Sequence, residues 1–178
     1  KSHPQGYVLF VQTDRKKSGQ TIDKSYHLTD VAYDCGWKLI WHKVVCQREM
    51  GKIDLYRPTF SHILGYTQSG RPGTAFPDVF PVGEKIYNNA TPLNVAERLV
   101  QFIVDHSQTL HRTDSDYDVI DPFVGRGTTA KVCQKYQLRF LGLDIDQQQC
   151  QKTRETLRIS ITTPASHILP HLTLKLIP

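Results

Sequence analysis

No window of this sequence holds the roughly 18 consecutive apolar residues that a membrane-spanning helix needs, so no membrane partner is expected. No secretory leader is visible. Cysteine is scarce: Cys35, Cys46, Cys133 and Cys150 show no paired metal spacing. That argues against a zinc site and against a disulfide scaffold. Three of the four fall inside expected elements, so reduced thiols and a cytoplasmic compartment are expected, nuclear or organellar in a eukaryote. The first residue is Lys1 rather than Met, as in a processed chain or a fragment. Although there are 10 prolines, no two are adjacent.

What is present is ordinary in bulk. The 178 residues suffice for one domain with a real core, and 39% hydrophobic with 22% charged content is that of a soluble globular protein. The net charge of +5 suits a polyanionic partner, but a mildly basic surface with no such partner is about as common.

The informative stretch is residues 118–130. It reads as a buried strand, a tight glycine turn and a helix start. Gly125 and Gly127 carry no Cβ, so the backbone turns sharply and a ligand can approach closely. Thr128 and Thr129 open a helix whose unpaired N–H groups and dipole favour polar or anionic ligand atoms. A second strand, residues 139–144, ends on Asp144, 23 residues after Asp121, a spacing at which an acid reaches ribose hydroxyls. Gly125-x-Gly127-x-x-Ala130 also satisfies the relaxed dinucleotide fingerprint. A strand–turn–helix with no ligand remains a third reading.

The rest of the chain reads in order. Residues 6–13 form a continuous apolar run, as in a strand buried on both faces. Residues 14–20 follow as a polar, basic loop leaving that strand's end, where open α/β sheets bind ligands; Arg15, Lys16 and Lys17 are the candidate phosphate contacts. Ser25 caps a helix running to about Cys35, with Leu28, Val31, Ala32 and Cys35 on its inner side, and Gly36 stops it. Residues 37–46 and 60–67 read as strands, an antiparallel pair at a sheet edge on which His42 and His62 face each other. Metal binding by that pair is not expected, because no third ligand type clusters nearby. Residues 69–92 hold no period and read as an irregular connection. Thr91 caps the next helix with Pro92 at its first position, and Leu93, Ala96, Leu99, Val100 and Ile103 make the buried stripe. Helices over about 128–136 and 146–158 follow, and residues 172–177 form a possible extra strand.

The fuller wording Asp121-Pro122-Phe123-Val124-Gly125-Arg126-Gly127-Thr128-Thr129, with Leu141-Gly142-Leu143-Asp144-Ile145-Asp146 after it, resembles the cofactor motif of the N6-adenine and N4-cytosine amino-methyltransferases of DNA. Residues 37–43 resemble their edge-strand segment, and Pro92 to Leu99 the helix before the motif. The order is that of members whose catalytic half comes first, and the likeness runs over about residues 6–157. It implies an α/β fold, a Rossmann-like methyltransferase sheet with an antiparallel edge hairpin over residues 1–158, and residues 159–178 as a tail or extra strand. It implies S-adenosylmethionine as cofactor, held by Pro92, Asp121, Pro122, Phe123, Val124, Gly125, Gly127, Thr128, Asp144 and Ile145, with no metal. It implies a nucleic-acid partner, DNA by default, RNA or a protein amide otherwise.

Two departures stand out. The family's His-Pro-Thr-Gln-Lys is Tyr87-Asn88-Asn89-Ala90-Thr91 here. Its catalytic (Asp/Asn/Ser)-Pro-Pro-aromatic is absent, so no catalytic residue is assigned in this chain, and the sheet lacks the catalytic strand. In the family's order that strand precedes residue 6, and without it two central strands would present edges. An upstream segment or a second chain supplies it, or the two strands pair directly. The rival reading is a catalytically inactive partner subunit or nucleic-acid-binding module, and an NAD-binding protein is a further alternative. A dedicated recognition region would have to come from residues 69–89.

Overall fold

The computed structural model describes residues 5–69, 75–107, 117–157 and 172–176. They belong to two compact units, Lys1–Gly83 and Glu84–Pro178. The first unit carries β1 (Tyr7–Gln12), β2 (Arg15–Lys17), β3 (Gln20–Ile22), α1 (Lys24–Asp34), β4 (Lys38–Cys46), β5 (Phe60–Thr67) and β6 (Val79–Phe80). Four of these strands form one sheet in the order β1-β5-β4-β6.

β5 is the covered strand of this unit, buried at every position after Phe60. It pairs antiparallel with β1 from Tyr7↔Thr67 to Gln12↔His62, and antiparallel with β4 on its other side. The expected hairpin therefore forms, but one strand in from the edge, because β6 adds in parallel at Val44↔Val79. β1 was expected to be covered on both faces, and instead it is half-buried throughout as the end strand. Two apolar runs of similar length cannot be ranked without the strand order, and that order is set by long-range pairing.

The irregular reading of residues 69–92 missed β6, whose two residues are too few to show a period. Lys43 holds it in place. Its stem is buried in β4, and its Nζ donates to the Phe76 carbonyl at 2.8 Å and to Asp78 Oδ1 at 2.6 Å. A buried ammonium persists only with such partners.

The basic loop is in fact a β2–β3 hairpin, paired through Lys17↔Gln20. Ser18 and Gly19, at φ 51 and 76, supply the two left-handed residues that a two-residue hairpin turn needs. α1 is capped by Asp23 rather than Ser25: the Asp23 carboxylate accepts from the Tyr26 amide at 2.8 Å, and Ser25 donates to the same carboxylate. Its inner face runs through Ser25, Leu28, Thr29 and Ala32, while Val31 and Cys35 are exposed, contrary to the expected stripe. Moving the cap back by two residues shifts the helix start, and the covered face is the one that includes Ser25.

The second unit carries α2 (Leu93–Ser107), β7 (Val119–Asp121), α3 (Thr128–Lys135), β8 (Phe140–Asp144), α4 (Gln147–Thr156) and β9 (Leu172–Leu176). Its three strands are parallel in the order β7-β8-β9, with α3 crossing from β7 to β8. The possible final strand is thus present as β9. The core packs Ala96 and Val100 of α2 against Ala130, Val132 and Cys133 of α3 and Phe140 of β8. Burial pushes the Cys133 thiol up to about 12, so it fills space as a neutral group. Pro92 stands immediately before α2, its carbonyl accepting from Val95 at 3.1 Å and Ala96 at 3.0 Å. Val95 and Phe102 are buried beside the expected Ala96, Leu99 and Val100, so the covered face is wider than the stripe read from spacing. Among the described residues no helix is long and apolar enough to cross a membrane.

Candidate functional site

The glycine turn lies at the carboxyl ends of β7 and β8, where parallel sheets place their ligands. After Asp121 the chain folds back at once, because the Phe123 amide donates to Asp121 Oδ1 at 3.0 Å. The Val124 amide then donates to the Leu143 carbonyl at 3.0 Å, fastening the turn to β8, and Val124 itself drops into the core. Gly125 and Gly127 follow at φ 55 and 83. A Cβ at Gly127 would stand 2.7 Å from Thr153 Cγ2, and one at Gly125 would stand 2.7 Å from Tyr87 Oη. Both positions favour glycine for backbone angle, and Gly127 needs it for space as well.

Asp144 closes the turn from β8. Its Oδ2 accepts from the Gly125 amide and its Oδ1 from the Asp146 amide, both at 2.9 Å. An ionised carboxylate has about four acceptor positions, so two remain for a ligand's hydroxyls. Thr153 of α4 clamps the other side, donating from Oγ1 to the Gly125 carbonyl at 2.7 Å. Gly127 precedes α3 with no side chain capping the helix, and the Thr128 hydroxyl is buried with no partner. Uncapped amides and a buried hydroxyl are groups that a polar ligand satisfies.

Beside these polar groups stand two apolar ones. Phe123 follows β7 and is 82% exposed; Ile145 follows β8 and is 80% exposed. Burial pushes the Asp121 carboxyl above the usual carboxylate range, and the nearby Asp144 charge pushes the same way. The Phe123 amide and the Thr129 hydroxyl, both donors to it, pull in the opposite direction.

The structure thus brings together Asp121, Phe123, Gly125, Gly127, Thr128, Asp144 and Ile145 of the residues singled out in the sequence. Pro122 is exposed on the same turn. Pro92 is fully buried, so it shapes the approach to α2 rather than facing solvent. Tyr87 and Thr153 were missed. Tyr87 packs its hydroxyl near Gly125 and its ring under the Arg126 guanidinium at 5.2 Å. The close approach at Gly127 was a hint that some side chain lies against it, but nothing in the spacing names Thr153. In the first unit, Arg15, Lys16 and Lys17 are all exposed on β2. His42 and His62 do meet, at 2.7 Å. Among the described residues no group of three or more His, Cys, Asp and Glu is placed to hold a metal.

The sequence matches the N6/N4 methyltransferase family model, described as DNA methylase, over residues 5–155. Among solved structures, its fold is similar to that of a putative DNA modification methylase from Thermus thermophilus, with a TM-score of 0.63, 19% identity, and cover of 98% of this chain and 76% of that one. That protein complexed with S-adenosyl-L-methionine gives a TM-score of 0.61 at 18% identity, over 98% and 74% of the two chains. The complex of M1.HpyAVI with SAM gives 0.59 at 14% identity, over 86% and 75%. No curated protein matches the sequence.

Proposed function

The chain belongs to the N6/N4 DNA methylase family, and from that premise we propose that it binds S-adenosylmethionine at residues 121–128 and serves methyl transfer to an exocyclic amino group of a DNA base. The observation that carries this reading is the pairing of exposed Phe123 and Ile145 with the free amides of α3 and the half-used carboxylate of Asp144. That set offers apolar surface for an adenine, acceptors for a ribose and donors for a polar tail.

When bound, the cofactor would supply an electrophilic methyl group on sulfonium for transfer to an amino nitrogen. The chain's own contribution is positioning. Asp144 holds the ribose while fixing the Gly125 backbone. Gly125 and Gly127 let the ligand lie against main chain. Asp121, at the floor of the turn, keeps Phe123 in place through its amide. Arg15, Lys16 and Lys17 hold phosphates of the nucleic acid.

No Pro-Pro-aromatic occurs in these 178 residues, so this reading takes its amino-group acceptor from a segment or chain other than them. The same absence favours a second reading, an inactive partner subunit that binds cofactor or nucleic acid and completes a sister methyltransferase. A segment or second chain bearing that motif is the partner implied by the first reading.

Calorimetry with S-adenosylmethionine, its demethylated product and NAD tests the cofactor assignment. The first two should bind and NAD should not; tighter binding of NAD would overturn it.

A further inference from the structure

The most exposed apolar side chains of the first unit lie in the connection between β4 and β5. Met50 is 88% exposed, Ile53 87%, Leu55 78% and Tyr56 82%. Four such residues within seven positions form a patch rather than isolated surface residues, and patches of this kind mark contact sites. The connection is built to hold them out. Asp54 Oδ1 accepts from the amides of Tyr56 at 2.9 Å and Arg57 at 3.0 Å, folding the loop into a tight turn. Those amides, Tyr56 first, hold the Asp54 carboxyl below its usual range, so the acid is spent on the turn itself.

Cations accompany the patch on the same loop and on the hairpin joined to it. Arg48, Lys52 and Arg57 are exposed on the same loop, and Arg15, Lys16 and Lys17 on the β2–β3 hairpin. The two elements are joined: Lys16 Nζ donates to the Asp54 carbonyl at 3.3 Å. Within the two segments the acids are Glu49 and Asp54, and Asp54 is engaged by the loop and by Arg48 Nη2 at 3.7 Å; Asp14 and Asp23, which flank the hairpin, are engaged by His62 and the Lys24 amide and by the α1 cap.

We propose that the β4–β5 loop and the β2–β3 hairpin form one duplex-DNA contact surface, in which the six cations hold phosphates while Met50, Ile53, Leu55 and Tyr56 press into the groove between them. Charge complementarity selects a polyanion. Apolar side chains inside a frame of arginine and lysine match the way wedge residues enter a groove and unstack a base step. A duplex supplies both features, a row of phosphates and apolar base faces. Such a wedge lowers the work of extruding a target base, which methyltransferases must do. The choice of DNA as occupant rests on the methyltransferase reading. An anionic lipid surface or a second copy of the chain would use the same side chains differently.

The test uses the 178-residue chain, without cofactor, and a fluorescein-labelled duplex of mixed sequence carrying one 2-aminopurine. The variant R48Q/K52Q/R57Q should weaken binding about tenfold or more, and should reduce the slope of log affinity against log salt by about 2–3. The variant M50S/I53S/L55S/Y56S should weaken binding about fivefold with an unchanged salt slope, and should abolish the 2-aminopurine fluorescence rise of base unstacking. All seven positions are exposed, and unchanged thermal melting of both variants establishes that the fold is kept. Calorimetry with S-adenosylmethionine on the same variants separates this surface from the cofactor reading: unchanged cofactor affinity is expected whichever way the DNA result falls. DNA affinity unaffected by both variants overturns the proposal. So does binding to vesicles of mixed phosphatidylserine and phosphatidylcholine in preference to duplex, or loss of a dimer in the apolar variant with DNA binding intact.

Discussion

His42 Nε2 lies 2.7 Å from His62 Nδ1 across the β4–β5 pair. The other nitrogen of His62 reaches Asp14 Oδ2 at 3.0 Å, so the two rings and the carboxylate form a line inside the first unit. Burial pushes the His42 imidazole below its ordinary 6.5, and the His62 charge pushes it further; Asp23 and Asp14 pull it back. The folded protein therefore takes that proton at lower pH than the unfolded chain does. The contribution of His42 to stability is full above 6.5 and is lost as pH falls through the lowered folded value. Urea midpoints measured from pH 8 to pH 5 should decline, and His42→Gln should flatten the decline. Parallel curves for the two proteins would contradict it.

The two turn glycines should respond differently to alanine. At Gly127, with φ 83, the new Cβ meets the Thr153 branch at 2.7 Å inside the packed face of α4. A left-handed non-glycine residue costs about 1–2 kcal/mol before any clash. At Gly125, with φ 55, the neighbour is the Tyr87 hydroxyl, the far end of a long side chain. Gly125→Ala should destabilise less than Gly127→Ala, and Tyr87→Phe should recover part of the loss in Gly125→Ala. Denaturant melts of the four proteins check this; equal losses with no coupling to Tyr87 would refute the geometry.

These two sites also show what the sequence reveals and what it hides. The turn was legible because every one of its parts is local: two glycines, two threonines and an acid at fixed offsets. The neighbours that hold it are not. Thr153 sits 28 positions from Gly125, and its role depends on how α4 lies on the turn. The same holds in the first unit. The strand runs at β1, β4 and β5 were readable from their apolar content, but which one is central was not, since that is decided by pairing partners far along the chain. The Asp23 cap was missed because Ser25 two residues later is an equally good capping type. β6 and the hairpin at Arg15–Lys17 are too short to carry a period, and the buried ammonium of Lys43 looks in sequence like any surface lysine within a strand.

Asp144 should show two separable roles. Its carboxylate accepts two backbone amides, so Asp144→Ala leaves the Gly125 and Asp146 donors unpaired, at about 1–3 kcal/mol of stability. On the proposed function it also loses a charge-assisted hydrogen bond to the cofactor ribose, about 1.5–3 kcal/mol of binding. Asp144→Asn keeps the shape and an acceptor oxygen but not the charge, and should retain more stability than affinity. Thermal melts paired with calorimetry separate the two. An unchanged dissociation constant in both variants would show that the acid serves the turn alone.

These 178 residues alone should not methylate DNA. The exocyclic amino group is nearly planar and a poor nucleophile, and it needs an oxygen acceptor beside it while an aromatic side chain holds the extruded base, whose extrusion costs a few kcal/mol. Asp121 is not that acceptor, because it is engaged by the Phe123 amide and the Thr129 hydroxyl at the floor of the turn. On the proposed function the cations at Arg15, Lys16 and Lys17 would position phosphates, and they would move no proton. Tritiated methyl transfer to unmodified duplex is the measurement, with the chain alone and with a segment bearing an (Asp/Asn/Ser)-Pro-Pro-aromatic motif added in trans or fused ahead of Lys1. Activity only with the added segment supports the split arrangement. Cofactor binding with no transfer in either case supports the inactive-partner reading, and steady turnover by the chain alone would mean that an acceptor exists among the residues considered structural.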